Sequence, residues 1–114
     1  MKYIKEFENL NYKEPNVGDY VICQEKNENK DFISFIENNI GQIIKIKQYY
    51  TNEKLYYYIR YTGIPDNIKY HFYEGIHIDL YENNIRGMFL SEIKYWSKDK
   101  EDLETILSTN KYNL

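Results

Sequence analysis

Three sets of side chains in this sequence are of types that can do chemistry. His71, His77 and Asp79 could in principle ligate a metal or shuttle a proton near neutral pH. Their spacing matches no recognised ligand pattern, and alternation along the chain places His77 outward among ordinary surface residues. No metal site and no acid–base site is therefore expected of them. Cys23, the single cysteine, lies in an apolar run with no neighbouring cation in sequence, so a buried and inert thiol is expected. One cysteine also excludes an intrachain disulfide and a multi-cysteine zinc site. The third set is Lys45, Lys47, Tyr56, Tyr58, Arg60, Lys69, His71 and Tyr73, cations interleaved with aromatic rings. Such a surface can hold phosphates while its rings stack on bases, or it can bind protein through large rings with polar tips.

Charge is sorted along the chain in the same way. The net charge is −3, but residues 41–73 carry five basic and two acidic side chains and are positive. Residues 1–40 and 74–114 each carry five basic against eight acidic. The paired acids Asp99/Asp102 and Glu101/Glu104 suit the positive end of a helix dipole and are not read as a catalytic dyad.

The elements that must position these residues follow from hydrophobic period. Tyr3, Phe7 and Leu10 form a helical stripe in a segment ended by Pro15. Asp19 to Gln24 reads as a strand apolar on both faces. Asp31 is placed to cap a short helix near 31–38, in which Phe32, Phe35 and Ile36 share a face. Ile40 to Tyr49 reads as a half-buried strand, with Ile44 and Ile46 on one side and Lys45 and Lys47 on the other. After a turn at 51–54, Leu55, Tyr57, Ile59 and Tyr61 point inward and Tyr56, Tyr58 and Arg60 outward. Ile68, Tyr70 and Phe72 alternate as a further strand with Tyr70 in the core. A bulged turn beside Gly75 then leads to a strand at 76–80. Ile85 to Leu90 is irregular, Ile93 to Trp96 is a last strand, and Ser97 caps a C-terminal helix near 98–108 with Leu103, Ile106 and Leu107 inward.

This order of motifs resembles the SH3-like small β-barrels, including the KOW-type members. Val17-Gly18-Asp19-Tyr20-Val21, Ile40-Gly41-Gln42-Ile43-Ile44-Lys45-Ile46 and Tyr57-Tyr58-Ile59-Arg60-Tyr61 carry the resemblance. It spans roughly residues 15 to 62 and, more loosely, the strand ending at Trp96. The resemblance implies an entry strand, a glycine permitting a tight bend and a hairpin partner, and it brings no catalytic residue. Small uncharacterised phage and AT-rich virus proteins look similar in style. The expected fold is thus mainly β, an SH3-like barrel of five to six antiparallel strands at about 15–96. The chain forms a single domain, 1–114, with residues 1–14 and the C-terminal helix at 97–109 as additions.

Nucleophile elbows, phosphate-binding glycine loops, dinucleotide fingerprints and His-Glu-x-x-His motifs are absent. No apolar run is long enough to span a membrane and no secretory leader is seen, which makes the cytoplasm the expected address. Ile, Lys, Asn and Tyr supply 56 of 114 positions and Ala none, a bias expected of AT-rich coding in a low-GC bacterium, its phages or a large virus. The expected function is non-enzymatic binding through the face from Lys45 to Tyr73, without cofactor or metal. A protein partner leads, inhibition of a host or defence factor in the manner of an anti-CRISPR protein being one form of it. Nucleic acid is the alternative ligand, and self-association into a homodimer is open.

Overall fold

Among the described residues, alternating side chains along Tyr20–Cys23, Gly41–Gln48, Leu55–Arg60, Ile85–Phe89 and Ile93–Ser97 make five strands, β1 to β5. They form one antiparallel sheet in the order β4-β3-β2-β1-β5. Among the described residues, two helices, α1 at Lys30–Asn38 and α2 at Lys100–Tyr112, and a 3₁₀ segment at Asp66–Gly75 pack around it. The computed structural model describes residues 14–48, 54–75 and 84–112, apart from the side chains of 73–75 and 110–112.

A chain-length argument fixes the shape of the sheet. β4 and β5 lie on opposite edges, yet only a 3₁₀ turn, Leu90–Glu92, joins them. In a flat five-stranded sheet these edges would stand about 19 Å apart. Four residue steps at 3₁₀ rise cover only about 8 Å. The sheet therefore curls, bringing the end of β4 near the start of β5 at the Leu90–Glu92 corner. The Gln24 N–H donates to the Glu92 carbonyl at 2.7 Å and ties that corner back to the end of β1.

The concave side holds the main core. Val21, Cys23, Ile43, Tyr57, Ile59 and Met88 from the sheet meet Phe32, Phe35 and Ile36 of α1 and Ile68 and Phe72 of the 3₁₀ segment. Phe35 packs edge-on against Tyr61 and Phe72, with ring centroids 5.8 and 6.0 Å away. On the other side, α2 lays Leu103 and Ile106 on Ile22. A third, smaller cluster joins Tyr58 and Ile85 with Ile44 and Tyr56.

Several expectations are corrected. The segment from Ile68 is 3₁₀ helix, not strand, because Ile68, His71 and Phe72 are the buried set, at helical spacing, and Tyr70 is 56% exposed. Ile85–Phe89, expected to be irregular, is strand β4. Ile44 and Ile46 do not share a face: a bulge between Ile43 and Lys45 puts Ile43 and Ile46 toward the core and Ile44 beside Tyr58. Helix α1 is capped by Asn29, not Asp31; the Asn29 Oδ1 accepts from the N–H groups of Asp31 and Phe32 at 3.0 and 3.1 Å. Ser97 acts one turn before α2: its hydroxyl accepts from the Asp99 N–H at 3.1 Å and donates to the Asp102 carboxylate at 2.6 Å. The expected tight bend at Gly41 is instead a place of close approach, where a Cβ would overlap the Ile59 side chain and press on the Tyr61 ring. The stripe of Tyr3, Phe7 and Leu10, the turn at 51–53 and the strand at 76–80 lie outside the described residues.

Candidate functional site

Cross-strand pairing assembles most of the expected face. Lys47 pairs with Tyr56, which pairs in turn with Phe89; in the next row Lys45 pairs with Tyr58 and Tyr58 with Gly87. Arg60 follows beside Ile85. These residues point away from the main core, so the outer face of β2, β3 and β4 carries a cation at the β2 end of its first two rows and Arg60 in the middle of the third, between Gln42 and Ile85. Lys45 and Lys47 are exposed, and Arg60 is half-buried.

The tyrosines on this face are set into it. Tyr58 is 2% exposed, and Tyr56 is half-buried, its ring lying across Gly87. A Cβ at Gly87 would overlap that ring, so the glycine is what allows Tyr56 to lie flat across β4. Tyr56 stands edge-on to both Tyr58 and Phe89, with centroids 5.2 and 5.0 Å away and interplanar angles of 78° and 73°. The ladder ends in Phe89, 39% exposed, with the Lys54 ammonium 5.8 Å from its ring centre; Leu90, 40% exposed, follows at the start of the Leu90–Glu92 turn. Glu92 fixes the corner by accepting from the Phe89 N–H at 2.9 Å. Burial raises the Glu92 carboxyl above its ordinary pKa, and Glu25 adds to this.

The other expected members do not join this face. Lys69 lies on the 3₁₀ segment and pairs with Asp66 at 2.9 Å. His71 is 7% exposed and belongs to the core side, its ring stacked on Phe32 at 4.3 Å. A strand period over Ile68–Phe72 sets both on the sheet face, and the 3₁₀ helix takes them off it. The side chain of Tyr73, and His77 and Asp79, lie outside the described residues. Phe89 and Leu90 were missed; the alternation of Ile85, Gly87 and Phe89 was the available signal, and the central glycine obscured it.

Beneath His71 is a buried polar group. The Arg86 guanidinium donates to both carboxylate oxygens of Glu25 and, at 2.7 Å, to the His71 backbone carbonyl. Phe32 covers it, 5.1 Å from ring centre to guanidinium carbon. Cys23 sits nearby at 1% exposure, and burial pushes its thiol up to about 12, so at neutral pH it is a protonated, non-nucleophilic thiol. Burial and the adjacent Cys23 likewise raise the Tyr61 phenol well above its usual value.

A cleft of about 310 Å³ opens near the start of α2, lined by Glu14, Asp19, Trp96, Ser97, Asp99 and Asp102 among others. Two of these carboxylates already serve the backbone or its neighbours: Asp19 accepts from the Asn16 N–H at 2.8 Å, and Asp102 from Ser97. Among the described residues no group of three or more His, Cys, Asp or Glu is placed to hold a metal ion, and no helix is long and apolar enough to cross a membrane. No protein-family model, no curated protein and no solved structure matches the chain.

Proposed function

We propose that the chain is a non-enzymatic, protein-binding module of SH3-like small-barrel type, working through the outer face of β2, β3 and β4. The fold part of this reading is supported by the strand order, with β5 returning beside β1, and by the short 3₁₀ link that brings the end of β4 near the start of β5. The carrying observation for binding is the exposed Phe89 ring, edge-on to Tyr56 in a row that begins at Lys47, beside the Lys45–Tyr58 row and with the Lys54 ammonium near it; exposed Leu90 follows it in the chain. Apolar area at the centre with charge at the rim is the composition of a protein interface. α2 covers the β1–β5 half of the same sheet side through Leu103 and Ile106, which leaves the β2–β4 half as the surface on offer. The AT-rich composition fits a phage or virus source, where a small inhibitor of a host or defence factor is the corresponding role.

Phosphate binding by Lys45, Lys47 and Arg60, as in KOW-type proteins, is the second reading, favoured by the local positive charge. Affinity capture separates the two. The protein-binding reading expects a captured partner that survives nuclease treatment and is lost with Phe89→Ser in a variant that keeps its circular dichroism spectrum. Retention of the partner by both Phe89→Ser and Lys47→Glu overturns it.

A further inference from the structure

We infer that the outer β2–β4 face takes an acidic polypeptide segment in which carboxylates flank apolar side chains. The inference rests on the protein-binding reading above and names the chemistry of the partner.

Charge selects the sign. Strands β2, β3 and β4 contain Lys45, Lys47, Arg60 and Arg86 and no Asp or Glu, and Lys54 immediately precedes β3. Arg86 turns to the core and is matched there by Glu25. The cations left on the outer face thus have no carboxylate on their own strands, in a chain whose net charge is −3. Acid is carried elsewhere, including Glu101, Asp102 and Glu104 at the start of α2. Lys47, Lys54 and Arg60 have interactions of their own, so local sign and exposure, rather than unpaired charge, choose the partner.

Ring geometry chooses polypeptide over nucleic acid. A base needs an open aromatic face to stack on. Tyr58 is buried, and Tyr56 uses its ring against Gly87, Tyr58 and Phe89. The face instead offers the exposed part of the Phe89 ring, with exposed Leu90 next in the chain, and apolar area suits apolar side chains. Lys45 and Lys47 are two residues apart on β2, so their Cα atoms are separated by about 7 Å. Carboxylates two apart on an extended segment repeat at the same spacing.

The experiment uses the full chain and a fluorescein-labelled peptide, Asp-Ser-Asp-Ser-Trp-Ser-Leu-Ser-Asp, in which the first two Asp stand two residues apart and all apolar and acidic side chains share one face of an extended segment. Three comparison probes accompany it: the peptide with every Asp replaced by Lys, the peptide with Leu and Trp replaced by Ser, and an oligothymidylate of similar charge. Fluorescence anisotropy should show saturable binding of the acidic apolar peptide, weakened by salt and by about tenfold in Lys45→Glu/Lys47→Glu. Amide chemical-shift changes should fall on Lys47, Tyr56 and Phe89. Loss of binding to the Ser-substituted probe supports the apolar part. Tighter binding of oligothymidylate, or changes confined to other strands, overturns the inference. Equal or stronger binding of the Lys-substituted peptide at the same amides overturns the acidic partner while leaving the face a protein-binding surface. If no probe moves any amide of the face and the captured partner survives Phe89→Ser, both the inference and the binding reading fall.

Discussion

The guanidinium of Arg86 forks onto the carboxylate of Glu25, 61 residues earlier in the chain, and clamps the exit of β1 to the edge strand β4. The two side chains are only 12% and 8% exposed, so each charge is held away from water and depends on the other. The third bond, to the His71 carbonyl, adds the 3₁₀ segment to the same clamp.

Removing one partner leaves a buried, uncompensated charge. Arg86→Met or Glu25→Gln alone is expected to cost about 3–5 kcal/mol in urea unfolding. The double variant Glu25→Met/Arg86→Met should recover most of that loss, because two apolar side chains replace both charges at once. A double variant no more stable than either single one would show that the clamp acts through geometry other than charge pairing.

Gly87 and Tyr56 form a second dependent pair. Gly87→Ala places a methyl group in the space of the Tyr56 ring, and overpacking of this kind costs about 1–3 kcal/mol. Removing the ring should relieve the overlap, so Gly87→Ala is expected to cost less in a Tyr56→Ala background. The coupling energy from the four-variant cycle measures this. An additive cycle would mean that Tyr56 does not lie across the glycine in solution.

These two pairs also mark what local sequence can and cannot convey. β3 was legible because Leu55, Tyr57 and Ile59 alternate cleanly with Tyr56, Tyr58 and Arg60. The bulge at Ile44 was not, because Ile43 and Ile44 are both apolar and either can take the core. Ile68 to Phe72 fits a period of two and a helical spacing at once; burial of His71 and exposure of Tyr70 decide between them. Lys45, Lys47 and Tyr56 could be placed on one face from alternation alone, whereas Phe89 joined them only through the β3–β4 register. The Arg86–Glu25 contact spans more than half the chain and leaves no periodic trace.

Stability should fall in alkali. Burial pushes the Cys23 thiol up to about 12 in the folded protein, against 9.0 for an exposed thiol, and raises the Tyr61 phenol as well. Between these limits the unfolded chain has lost the thiol proton and the folded one has kept it. Folding stability is therefore full below about pH 9 and declines as pH rises through the folded value. Cys23→Ala should flatten this decline by up to about 1.4 kcal/mol per pH unit. Urea unfolding at a series of pH values reads the slope, and an unchanged slope in the variant would remove Cys23 as its source.

The residues of the expected binding face should separate into two classes when truncated. Lys45→Ala and Lys47→Ala remove exposed side chains, and each is expected to change stability by no more than about 0.5 kcal/mol. Tyr58→Ala empties a buried site against Ile85 and Ile44 and is expected to cost about 3–5 kcal/mol, the range for large aromatic truncations. His71→Ala removes the ring stacked on Phe32 and should also destabilise, while its backbone carbonyl still accepts from Arg86. Thermal melts of the four variants check the division. A stable Tyr58→Ala protein would mean that this ring is available to a ligand and would reopen base stacking. The division also governs how binding data are read: loss of a partner with Tyr58→Ala reports on folding, whereas loss with Lys47→Glu or Phe89→Ser reports on the surface itself.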